Sequence, residues 1–120
     1  MPVSPNYREG IEDRLGAVVP ALKLKSMFGG VGLYSGPSFF ALMDDDRLYF
    51  KVDDTSRPDF EAAGSGPFKP LGDEYVMMQY YEVPAHVLDD ATLLREWANK
   101  AIAIAKSKGH RKSRRNKKKA

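Results

Sequence analysis

The chain has 120 residues, 42% hydrophobic and 29% charged, which fits one domain with a core large enough to stand without covalent staples. It contains no Cys, which excludes disulfide scaffolds, thiol nucleophiles, iron–sulfur clusters and cysteine zinc sites, and no apolar run approaches the ~20 residues of a membrane helix. The formal charge of +3 divides unevenly: the last fifteen residues hold nine of the nineteen cations and no carboxylate, so residues 1–105 carry −6 and the tail +9. A folded basic groove is therefore not implied.

Met1-Pro2-Val3-Ser4-Pro5 lacks the basic and apolar regions of a signal peptide, so a soluble, cytoplasmic protein is expected. Ser4 then reads as a helix cap with Pro5 at the first helical position, and Tyr7, Ile11, Leu15 and Val18 recur at helical spacing until Pro20. A first helix is expected over roughly residues 5–19. The segment from Leu22 to Phe28 is ambiguous, and Gly29-Gly30-Val31-Gly32 is too glycine-rich for a helix. From Gly32 the period changes to two. Gly32-Leu33-Tyr34, the turn Ser35-Gly36-Pro37-Ser38 and Phe39 to Met43 read as a hairpin, and Asp44-Asp45-Asp46 makes the next turn. Arg47 to Val52 alternates, with Leu48, Phe50 and Val52 on one face and Arg47, Tyr49 and Lys51 on the other.

Asp54 or Thr55 can cap a short helix containing Pro58, Phe60 and Ala63, with Gly64 placed for the left-handed C-terminal position. An extended segment at Phe68 and a strand over Tyr75 to Val83 follow. Asp89 or Asp90 opens the longest helix, whose apolar stripe is Leu94, Trp97, Ala98, Ala101 and Ala105. Gly109 should end it, and His110 to Ala120, without an apolar residue before the last, should be disordered. The fold class expected is α+β, an antiparallel sheet of about five strands flanked by helices in the order α-β-β-β-α-β-β-α, with residues 1–105 as the domain and 106–120 as a basic tail.

Chemistry-bearing motifs are few. The glycines miss the dinucleotide fingerprint because its last position falls on Ser35, and no Gly-Lys-Ser/Thr or helix follows to make a phosphate loop. They read instead as permitting a bulge or close backbone packing. Asp44-Asp45-Asp46, Asp53-Asp54 and Asp89-Asp90 sit where turns and caps want Asp, and none has EF-hand spacing. His86 is the one imidazole ahead of the tail, with no zinc-site partner, and Ser65 lacks the nucleophile-elbow spacing. Tyr34, Phe39, Phe40, Tyr49, Phe50, Tyr80 and Tyr81 could stack nucleic-acid bases if cations shared their face, but only Arg47 and Lys51 beside Tyr49 qualify. Core packing and a face for a protein partner are the uses expected. No catalytic residue, cofactor or metal is assigned.

The residues also resemble a known family. Lys25 to Tyr34, Phe40-Ala41-Leu42, Leu48 to Asp53, Phe60 to Gly64 with Pro67-Phe68, and Tyr80 to Pro84 followed by Leu88-Asp89-Asp90 are similar, in order across residues 7–105, to the N-terminal domain of the TfoX/Sxy proteins. The resemblance implies a bacterial, non-enzymatic module like that of regulators of natural competence, which work with a transcription factor at its promoters. Their helical C-terminal domain is expected to be absent here, with a basic tail in its place. It also implies a fold like the small dimeric chaperones of type III secretion, and a structural signature made of Met27, Phe28, Gly29, Gly30, Gly32, Leu33 and Tyr34. A homodimer through the sheet or the long helix and a protein partner are expected, with no membrane contact. The alternative is a nucleic-acid-associated protein that grips the phosphate backbone through Lys106, Lys108, Arg111, Lys112, Arg114, Arg115, Lys117, Lys118 and Lys119.

Overall fold

Ser4 has extended backbone and its hydroxyl accepts a hydrogen bond from the Tyr7 amide, so the first helix, α1 (Pro5–Gly16), starts where the Ser-Pro pair requires. It stops earlier than the apolar spacing indicates. Gly16 is a poor helix residue, and the amides of Val18 and Val19 both turn back to the Leu15 carbonyl. Ala21, left-handed at φ 52°, then redirects the chain into the sheet, and its carbonyl accepts from the Gly36 amide. The computed structural model describes residues 3–27, 30–73 and 75–119, and at 71, 73 and 108–119 the backbone only.

Four strands follow as a meander: β1 (Leu22–Met27), β2 (Gly30–Ser35), β3 (Ser38–Asp44) and β4 (Arg47–Lys51). The ambiguous segment from Leu22 is thus a sixth strand for the sheet, one more than expected. It alternates Leu and Lys, so Leu22 and Leu24 still pack against the core. The β3–β4 turn places Asp45 and Asp46 both at left-handed φ, 52° and 55°, a geometry Asp tolerates and a two-residue hairpin requires. After α2 (Arg57–Ala62) come β5 (Pro67–Phe68), β6 (Pro70–Asp73) and β7 (Met77–Glu82), then α3 (Ala85–Leu88), a one-turn helix not anticipated, and α4 (Ala91–Lys119). The sheet order is β1-β2-β3-β4-β7-β5, antiparallel at every pair.

All the helices pack on one face of this sheet. Ile11 and Leu15 of α1, Phe60 of α2, Val87 of α3 and Leu94, Ala98, Ala101 and Ile102 of α4 bury against Val31, Leu33, Phe40, Met43, Leu48 and Phe50. Fully burying each large side chain there contributes roughly 1.5–3 kcal/mol. A bulge in β3 sets which phenylalanine joins this core. Leu33 pairs with Ala41 but Tyr34 with Phe39, so the skipped Phe40 turns inward and Phe39 is left on the opposite face. The backbone of α4 runs on as helix past Gly109, where an end was expected, to Lys119. One glycine costs about 1 kcal/mol among good helix formers, and no proline follows to enforce a stop.

Candidate functional site

The carboxylate pairs are used locally. Asp46 Oδ1 accepts from the Ser4 amide at 2.7 Å, tying the β3–β4 turn to the start of α1. Asp53 Oδ1 accepts from the amides of Thr55 and Ser56 and from the Thr55 hydroxyl, while Ser56 Oγ accepts from the Asp53 amide. That reciprocal cap opens the turn into α2, and the Thr55 hydroxyl in particular holds the Asp53 carboxyl below its ordinary pKa. Asp54 pairs with Arg57 at 2.7 Å and Asp89 with Arg14 at 3.6 Å. Asp90 Oδ1 accepts from the Thr92 and Leu93 amides and caps α4. Among the described residues no three His, Cys, Asp or Glu side chains gather as a metal site.

His86 and Ser65 are likewise engaged elsewhere. The His86 ring meets Trp97 edge-on at 6.4 Å, and the Ser65 hydroxyl donates to the Glu82 carbonyl. Nothing in this pairing resembles a nucleophile with its base.

The helix-free face of the sheet is built differently. Tyr49, Phe68 and Tyr80 form a second apolar cluster there with Phe39, Leu42 and Met77. Tyr34 stacks on Phe39 at 5.1 Å, Phe39 meets Tyr80 at 6.0 Å, and Tyr49 meets Phe68 at 4.7 Å. Burial pushes the Tyr80 phenol up to about 12, and raises that of Tyr49 with help from the Glu82 charge. Lys51 Nζ lies 5.7 Å over the Tyr80 ring. Register adds two cations that sequence periodicity left unplaced. Lys23 is the cross-strand partner of Tyr34 and Lys25 of Gly32, both lysines are exposed, and Leu22 and Leu24 take the core side instead. The alternation Leu22-Lys23-Leu24-Lys25 carried that information.

The signature residues divide between the two faces. Leu33 is fully buried under the helices, whereas Met27, Gly32 and Tyr34 belong to the open face. Gly30 and Gly32 have no left-handed φ, and their lack of a side chain matters for space. A Cβ on Gly30 would stand 2.6 Å from the Met43 carbonyl oxygen, and one on Gly32 would meet Met27 Cε at 2.6 Å and Phe39 Cε1 at 3.1 Å. Phe28 and Gly29 lie outside the described residues. Of the tail cations, Lys106 is exposed, and the side chains of Lys108, Arg111, Lys112, Arg114, Arg115, Lys117, Lys118 and Lys119 lie outside the description.

One further surface stands out: Tyr75 and Val76, just ahead of β7, and Met78 within it are 54%, 37% and 44% exposed. The Met78 carbonyl accepts from Arg57 Nε at 3.2 Å, so this apolar patch is anchored to α2. Among the described residues no helix is long and apolar enough to cross a membrane.

Comparison with curated proteins finds no match for the chain. The match to the TfoX N-terminal domain runs over residues 13–105, from within α1 to the last apolar residue of α4, and takes in both sheet faces; the chain belongs to that family.

Proposed function

We propose that this chain is a non-enzymatic regulatory module of the competence-regulator kind, which acts in the bacterial cytoplasm by holding a protein partner. Residues 1–105 form the working domain, since the apolar stripe of α4 stops at Ala105, and residues 106–120 are a basic appendage to it. The observation that carries the reading is the patch of Tyr75, Val76 and Met78, large apolar side chains left in water just ahead of the packed Tyr80 and Tyr81 of β7. Exposed apolar groups in a cluster mark interfaces more often than they mark chemistry. The carboxylates that acid–base work would need are spent on caps, turns and ion pairs.

The same patch serves self-association, because a homodimer stacked face to face through the open sheet would bring Lys23, Lys25 and Arg47 of two copies together. Sedimentation at micromolar concentration tests this together with affinity capture from the native cytoplasm after nuclease. Val76→Lys and Met78→Lys should abolish the dimer and the nuclease-resistant capture while leaving the melting temperature unchanged. A monomeric parent chain whose capture survives both variants sinks the reading. A second reading, nucleic-acid association through the tail, is favoured by one feature: the cations from Lys106 to Lys119 follow one another on continuous helix without a carboxylate between them.

A further inference from the structure

The open sheet face combines rings and cations in a row that crosses the strands. Lys23 on β1 faces Tyr34 on β2, Tyr34 faces Phe39 on β3, and Lys51 on β4 faces Tyr80 on β7. Phe39 closes on Tyr80 at 6.0 Å, so the row is continuous from edge to interior. With strands ~4.8 Å apart it spans about 19 Å, the reach of roughly three nucleotides of extended single strand. Lys25, Arg47 and Lys69 flank the row and are exposed. Against them the face carries Asp44 and Glu82, with Asp45 at its rim, and Glu82 is paired with Arg47 at 3.5 Å. The carboxylates of α1, α2 and the start of α4 all belong to the helical side. The domain, negative as a whole, is thus polarised, with five of the ten cations of residues 1–105 on the face that carries the aromatic rings.

We infer that this face binds single-stranded nucleic acid through the row Lys23, Tyr34, Phe39, Lys51 and Tyr80, with phosphates on the lysines and bases on the half-buried rings of Tyr34 and Phe39. Tyr49, Phe68 and Tyr80 are nearly buried and form the floor on which those two rings are fixed. Fixed rings lose little entropy when a base stacks on them, and every base has a π-face, so binding is tolerant of sequence. Gly32 contributes by absence: any side chain there would occupy the space between Met27 and Phe39. An acidic protein segment would use the same lysines without needing the rings, which is why the rings decide between the two partners. The inference is independent of the Tyr75–Met78 patch, so either can fail alone.

The test uses the full chain and fluorescence anisotropy with three labelled 15-mers: oligo(dT), a mixed-sequence DNA duplex, and oligoglutamate. The tail responds to phosphate on either DNA form, whereas the face prefers unpaired bases. The parent should bind oligo(dT) about tenfold more tightly than the duplex, a gap of the size that stacking supplies. Tyr34→Ser should close that gap, Tyr34→Phe should keep it, and Lys23→Ser with Lys25→Ser should weaken oligo(dT) several-fold more than duplex. Chemical shifts of the amides of residues 22–27 and 30–35 on titration with oligo(dT) give a readout that does not depend on a variant folding. Equal affinity for the two DNA forms, or shifts confined to residues beyond 105, overturns the inference. Oligoglutamate binding that matches oligo(dT) and ignores Tyr34→Ser also overturns it, in favour of an acidic protein segment.

Discussion

A glycine in a strand usually weakens it, because it has no side chain to pack and loses more freedom on folding. Gly30 and Gly32 escape that rule for different reasons, and the difference is measurable. A Cβ at Gly30 would press on the Met43 carbonyl oxygen, which is backbone held in the β2–β3 ladder and cannot step aside. At Gly32 the nearest atom is Met27 Cε, the free end of a flexible chain. Gly30→Ala should therefore destabilise by about 1–3 kcal/mol, the usual cost of overpacking, while Gly32→Ala should lie within about 1 kcal/mol of the parent. Thermal melts of the two variants check the order. Both glycines stand out in the sequence as a cluster, and the failed phosphate-loop spacing already pointed to packing. Which atoms they make room for depended on how β2 pairs with both β1 and β3, which no local pattern encodes.

Element boundaries show the same split between local and non-local causes. The start of α1 at Ser4-Pro5, the Asp45-Asp46 turn and the left-handed Gly64 at φ 83° follow from chemistry within a few residues, and were legible. Strand β1 was not assigned, because Lys23 and Lys25 lower its strand character and its alternation covers only six residues. With β1 unassigned, Lys23 and Lys25 had no place on the open face, and only Arg47 and Lys51 stood beside the aromatic platform. The capping carboxylate ahead of α2 also sits a residue or two earlier than expected, on the turn over residues 54–56 that leads into the helix. Asp53, instead of Asp54 or Thr55, accepts the hydrogen bonds, because Ser56 returns one to the Asp53 amide. Its depressed pKa makes this cap pH-sensitive with a definite sign. A carboxyl lowered in the folded state adds stability above its unfolded value near ~4, and that stability is lost as pH falls through the lower folded value. Asp53→Ala should cost about 1 kcal/mol at pH 7, and the gap between variant and parent in denaturant melts should narrow steadily below pH 4. A gap that stays constant down to pH 2.5 would show that the carboxylate charge has no part in the cap.

At the scale of the whole molecule three charge zones lie in sequence: a cationic open sheet face, an anionic helical layer and the basic end of α4. The last zone carries its own internal tension. Arg111 and Arg115, Arg114 and Lys118, and Arg115 and Lys119 are four residues apart on helix, where like charges repel by a few tenths of a kcal/mol per pair. Nothing apolar in residues 110–119 can offset this by packing, so the helix there depends on ionic conditions, and a polyanion relieves the repulsion that salt only screens. Duplex DNA should raise the helical circular-dichroism signal of the full chain, and the gain should vanish when residues 107–120 are removed. If about five phosphates are neutralised, log K against log salt should fall with a slope near −4 to −5, with little dependence on sequence, since phosphates position a protein without specifying it. The shortened chain should keep the parent's melting temperature, because the core ends with Ile102, Ile104 and Ala105. It should also keep any preference for single strands that the sheet face provides. Duplex affinity that survives the truncation at its original salt slope would move the phosphate contacts from the tail to the folded domain.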